Sequence, residues 1–117
     1  MLRQTGRATP TTTWCTLTAT HTSLRYLALG DSYTCGEGVA PAERWPEQLA
    51  SRLRSGSLDL AEVRIVARTG WTTQELAAGI EQAALQPPYD LVSLQIGVNN
   101  QYPGQPPELY RTSLRAL

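Results

Sequence analysis

Three short apolar runs alternate with two stretches of helical period, and this alternation leaves few folds open to the chain. The runs are Tyr26-Leu27-Ala28-Leu29, closed by Gly30, then Val63 to Ala67, then Leu91 to Ile96, closed by Gly97. Short continuous apolar runs of this kind suit strands covered on both faces. Between the first and second runs, Pro46 suits a first helical turn, Trp45, Leu49 and Leu53 recur at fours on one face, and Gly56 supplies a stop. Between the second and third, Thr72-x-x-Glu75 has the spacing of a capping box, with Trp71 placed to staple onto Leu76. This second helix is expected to bury Leu76, Ile80 and Ala84 and to end at Pro87-Pro88. The order strand, helix, strand, helix, strand predicts an α/β fold with a parallel sheet and right-handed crossovers. Gln101 to Pro107 reads as a loop, and Glu108 to Leu117 as a further amphipathic helix with Leu109 and Leu114 as its apolar positions. A sheet of three strands leaves an edge that larger domains of this class cover or extend.

At 117 residues the chain holds one domain at most. Its 10 basic and 10 acidic side chains cancel, and every basic one is arginine, spread along the chain. Nucleic acid is therefore not an expected partner, because backbone binding needs clustered positive charge. No apolar stretch is long enough to span a bilayer, so no stable membrane insertion is expected. Cys15 and Cys35 lack the spacing of a zinc site and read as free thiols. No cofactor is called for, and no ligand cluster suggests a metal.

Residues 1–24 differ from the remainder. Thr9 to Thr22 is dominated by threonine, and no acidic side chain precedes Asp31. The segment reads as a disordered leader; a transit-type peptide or a short edge strand is compatible with the same composition. It lacks the continuous apolar block of a secretory signal, so a cytoplasmic location is the expectation. Residues 25–117 form the ordered unit.

In open parallel sheets the loops after the strands gather at the carboxyl edge, where ligands bind. Three loops are expected there: Asp31 to Gly38, Arg68 to Trp71 and Gly97 to Gly104. Ser32, directly after the first strand, is the leading nucleophile candidate. Taken singly, these residues have plainer uses: Asp31 and Ser32 as caps, Gly70 as a turn residue before Thr72, Asn99 and Asn100 as loop residues. Asp31 fits the organisation of the serine loop better than a role in the chemistry. Cys35 reads as a small packed residue, Trp45, Trp71 and Tyr102 as pocket walls, with core packing and loop anchoring an equal use for the two tryptophans, and Arg68 as an exposed side chain near the site. Gly30, Gly36 and Gly38 do not have dinucleotide-loop spacing, and a chain without lysine has no P-loop.

Gly30-Asp31-Ser32, the isolated Gly70 and Gly97-Val98-Asn99-Asn100, each after its own strand, resemble the first three sequence blocks of the SGNH hydrolases, the GDSL-like lipases and esterases. The resemblance covers about Arg25 to Leu117. It implies a flavodoxin-like fold with a parallel sheet between helices, only three of its strands present, and serine-dependent hydrolysis of a small-molecule ester through an acyl-enzyme. Ser32 then matches the nucleophile. The N–H groups of Ser32 and Gly70 and the side-chain amide of Asn99 match the oxyanion hole.

Two departures stand out. The family usually has Asp after Asn in the third block, where this chain has Asn100. The family's fourth block, Asp-x-x-His, is missing, and the one histidine, His21, precedes Ser32. Serine at neutral pH needs a base to remove its proton. The expectation is thus the front of a longer hydrolase with a missing C-terminal segment, inactive or nearly so as this chain. The rival expectation is a non-catalytic module or pseudoenzyme that binds a small molecule without turnover.

Overall fold

A computed structural model of the protein describes residues 23–117. The leader expectation, Cys15 and His21 lie outside the described residues, apart from the last two positions of the leader. Strands β1 (Leu24–Gly30), β2 (Leu60–Ala67) and β3 (Leu91–Gln95) form a parallel sheet in the order β2-β1-β3. Helix α2 (Trp45–Ser55) connects β1 to β2, and α3 (Thr73–Gln82) connects β2 to β3. Short helices α1 (Ser32–Cys35) and α4 (Val98–Gln101) follow β1 and β3, and α5 (Pro107–Arg115) comes last. The α/β architecture read from the alternation of apolar runs is the observed one.

The central strand explains the layering. Successive strand side chains point to opposite faces, so Tyr26 and Ala28 pack with Ala50, Leu60 and the flanks of α2, while Leu27 and Leu29 pack with Val66 and Leu76 of α3. Helices therefore cover both faces of β1. On α2 the fully buried positions are Pro46 and Ala50, with Leu49 and Leu53 half-buried beside them, a small rotation of the expected face. The edge expected of a three-stranded sheet is present: Leu91, Val92 and Leu94 of β3 are 38–53% exposed.

Three expectations are corrected. Helix α3 has its capping box, with Thr72 Oγ1 accepting from the Glu75 N–H at 3.4 Å and the Glu75 carboxylate accepting from the Thr72 N–H at 2.8 Å. It ends at Gln82, however, well before Pro87-Pro88. Ala84 stands outside the helix, exposed and at φ 47°, and Ala83 packs on the core instead. The cause is tertiary: Arg64 on β2 donates to the Ala83 carbonyl at 3.0 Å, satisfying a helix-end acceptor. In the last helix Leu109 is exposed, and its neighbour Tyr110 makes the anchoring contact by donating to the Ile96 carbonyl at 2.8 Å. The stretch from Gly97 to Gly104 is not all loop, because Val98–Gln101 closes a helical turn.

Arg25 holds the approach to β3. Its guanidinium pairs with Glu62 at 2.6 Å, donates to the Gln86 and Pro88 carbonyls, and lies 4.4 Å from the centre of the Tyr89 ring. The bond to Arg25 holds the Glu62 carboxyl below its usual value. A carboxyl lowered on folding contributes stability above its unfolded pKa, and that contribution is lost as pH falls through the folded value. Glu62→Gln is therefore expected to lower the urea midpoint at pH 7, with the deficit shrinking as the pH falls below the usual carboxylate range. A deficit that does not change with pH would show that the charge of Glu62 is irrelevant.

Candidate active site

The register of the sheet sets up the site. Gly30, the last residue of β1, lies opposite Ala67 on one side and Gln95 on the other, so all three strands end side by side. The three loops that follow begin at one rim. They are also tied to one another: Thr34 Oγ1 donates to Gln95 Oε1 at 3.3 Å, Cys35 Sγ lies 4.0 Å from Thr69 Oγ1, and Asn99 Nδ2 donates to the Trp71 carbonyl at 2.9 Å.

Asp31 builds the serine turn. It is 1% exposed, its Oδ1 accepts from the Tyr33 N–H at 3.0 Å, and its carbonyl accepts from the Thr34 and Cys35 N–H groups at 3.1 and 2.9 Å. This is helix capping, and it agrees with the organising role read from the sequence. Ser32 becomes the first residue of α1 and is half-buried. A first helical residue has no intrahelical acceptor for its N–H, and that of Ser32 has none elsewhere among the described residues. Its carbonyl carries its hydrogen bonds, to Gly36, Glu37 and the Cys35 thiol.

Gly70 sits in the turn closed by the Trp71 N–H to the Arg68 carbonyl, at φ 83° and exposed; its own N–H finds no acceptor among the described residues. Asn99 is the second residue of α4 and half-buried. A primary amide has two N–H donors; the Trp71 carbonyl takes one and the other stays free among the described residues. Asn99 is thereby brought against the residue after Gly70, whereas Ser32 bonds to neither.

The neighbours read from the sequence divide. Trp71 packs against the cluster containing Leu76, with its ring over Gly79. Tyr102 is 94% exposed and stands outside the lining of the hollow beside the third loop. Arg68 is exposed, as read. A hollow of about 520 Å³ lies beside the third loop, lined by Ile96, Val98, Gln105, Pro107 and Tyr110 among others, and does not include Ser32. Gly97, at φ 138°, is one position where only glycine fits, since a Cβ would meet Tyr110 Oη at 2.8 Å.

Asn100 is the residue whose part sequence reasoning missed. It is 2% exposed, and its carboxamide accepts from the Thr73 N–H at 3.1 Å and donates to Thr73 Oγ1 at 2.9 Å. Its one sequence signal was standing where the resemblance leads one to expect Asp. Among the described residues there is no histidine, no group of three metal-ligating side chains, and no helix long and apolar enough to cross a membrane.

A profile described as the GDSL-like Lipase/Acylhydrolase family matches residues 28–117. The chain is similar to the crystal structure of AlinE4, an SGNH-hydrolase family esterase, at 26% identity and a TM-score of 0.70, covering 79% of this chain and 49% of that one. It is similar in fold to TesA, at 23% identity and 0.68 over 77% and 49% of the two chains. The same holds for the psychrotrophic esterase EstA from Pseudoalteromonas sp., at 24% and 0.60 over 79% and 50%. The chain spans about half the length of each of these structures. A search of curated proteins found no match.

Proposed function

Because the chain belongs to the GDSL-like lipase/acylhydrolase family, we propose that it carries the nucleophile and oxyanion half of a serine esterase site, with Ser32, Gly70 and Asn99 as its working residues. The sheet is then part of a larger flavodoxin-like one, with residues 25–117 as the N-terminal portion of the hydrolase domain. The observation that carries this reading is the shared strand ending, Gly30 beside Ala67 and Gln95, which starts the three loops at one rim.

The chemistry follows from the groups. Ser32 Oγ gives up its proton, bonds to the carbonyl carbon of a small-molecule ester, and pushes the carbonyl π electrons onto oxygen. The unpaired N–H groups of Ser32 and Gly70 and the spare N–H of Asn99 Nδ2 are the donors for that oxygen. One such donor is worth about 3 kcal/mol in related reactions. Collapse expels the alkoxide, which takes a proton from water, and leaves the acyl group on Ser32 for water or hydroxide to hydrolyse, returning the serine hydroxyl and releasing the acid. None of residues 23–117 is a histidine, so the described half of the site offers no imidazole base. The serine proton then passes to solvent hydroxide, and slow turnover that rises with pH is the expected behaviour of this 117-residue chain.

A fluorophosphonate tests this, because Ser32 Oγ displaces fluoride at phosphorus while the phosphoryl oxygen takes the place of the oxyanion. Slow labelling of Ser32 that accelerates with pH, absent in Ser32→Ala, with only trace hydrolysis of p-nitrophenyl acetate, is the expected result. Absence of labelling at every pH in the folded protein would replace this reading with a binding module. Fast turnover that survives Ser32→Ala would place the chemistry elsewhere.

A further inference from the structure

Asn99 and Asn100 are adjacent in the chain, yet they face different tasks. Asn99 reaches the Trp71 carbonyl at the rim. Asn100 is buried, and every polar atom of its side chain is used: Oδ1 accepts from the Thr73 N–H at 3.1 Å, and Nδ2 donates to Thr73 Oγ1 at 2.9 Å and to Gln105 Oε1 at 2.6 Å. The network continues through Thr73 Oγ1 to Ser113 Oγ at 2.7 Å, and Ser113 donates onward to the Leu109 carbonyl at 2.9 Å. Four separate pieces of chain therefore meet on one carboxamide: the first turn of α3, the α4 turn, the loop at Gln105 and, through Thr73, α5.

We infer that Asn100 is a positioning residue for the Asn99 donor. This rests on the reading of Asn99 as an oxyanion donor. Helix α4 is a single turn and too short to hold its own geometry. By fixing that turn to the N-terminal residue of α3, Asn100 sets the height and rotation of the next side chain back, so that Asn99 Nδ2 meets the Trp71 carbonyl and keeps its second proton toward the rim. A buried, fully satisfied polar network specifies one arrangement, because any shift leaves a donor or acceptor unpaired away from water.

The same network would hold the Asp that the family resemblance leads one to expect at this position. A carboxylate would still accept from the Thr73 N–H, next to the positive end of α3. Its other oxygen would accept from Thr73 Oγ1 and from the amide of Gln105 turned end for end, and Ser113 would then donate to Thr73. This reversal needs a donor at position 105. Asn100→Asp is therefore compatible with Gln105, and Gln105→Glu is compatible with Asn100, but the two together place carboxylates against each other with no proton between them.

The test uses the whole 117-residue protein and two readouts: hydrogen exchange of the Asn99 side-chain amide by NMR, and the rate of Ser32 labelling by a fluorophosphonate. Asn100→Leu is expected to speed exchange of the Asn99 amide and slow labelling, each about tenfold, the scale of one lost positioning bond. Asn100→Asp and Gln105→Glu should each stay within about threefold of wild type, and the double variant should behave like Asn100→Leu. Should Asn100→Leu fail to fold, Gln105→Met, which removes a single bond, and the double variant carry the test. Unchanged Asn99 exchange in the folded variants, with faster exchange only at the Thr73 N–H, would reduce Asn100 to a cap of α3 and overturn the inference. If wild type is not labelled at all, the esterase reading fails by itself, while exchange at Asn99 still decides the role of Asn100.

Discussion

Replacing Gly30 with alanine is expected to cost about 3 kcal/mol of folding free energy and to displace the turn that carries Ser32. Gly30 is buried at the end of the central strand, and helix α1 folds back over it. A Cβ at that position would run into the Thr34 side chain, with Thr34 Cβ at 2.6 Å and the Gln95 carbonyl oxygen at 2.7 Å. Neither obstacle moves easily. Thr34 is fully buried, and the Gln95 oxygen belongs to the backbone of β3. The glycine thus permits the close approach that lets a serine follow a buried strand so abruptly. Urea denaturation of Gly30→Ala measures the cost, and fluorophosphonate labelling reports on the turn. A midpoint equal to wild type, with labelling intact, would mean that α1 does not crowd the strand end.

Leu76→Ala is expected to lose a further amount of the same order, about 3 kcal/mol, through the lost transfer energy and the cavity left behind. Leu76 is fully buried among Leu27, Leu29 and Val66, and Trp71 packs on the same cluster. The effect should reach the rim, because the Trp71 carbonyl holds Asn99. Leu109→Ala is the matched control: an exposed leucine on α5 is expected to change stability by no more than about 0.5 kcal/mol. Urea midpoints of the two variants decide the matter, and similar losses from both would contradict the burial of Leu76 in the cluster on the α3 face of the sheet.

Much of the architecture was legible because it rests on local chemistry. Thr72 and Glu75 cap one another across three residues, Gly56 closes α2, and the three apolar runs became the three strands. The turn that carries Ser32 was legible in the same way, since Asp31 organises it through bonds to Tyr33, Thr34 and Cys35. Less was legible in the third loop. Its composition hid the α4 turn, and nothing local assigned Asn99 and Asn100 their partners at Trp71 and Thr73, more than 25 positions away.

The amino-acid order by itself determined which segments become strands and helices and which residues stand at the strand ends, because periodicity, capping and turn preference act within a few residues. Tertiary structure alone decided the strand order β2-β1-β3, the alignment of Gly30 with Ala67 and Gln95, and the early stop of α3 under Arg64. It also decided the exposure of Leu109 beside the anchored Tyr110, and the separate work of the two asparagines. Those features depend on groups far apart in sequence satisfying one another's hydrogen bonds and burying one another's surface, and no local pattern records which distant partner will arrive.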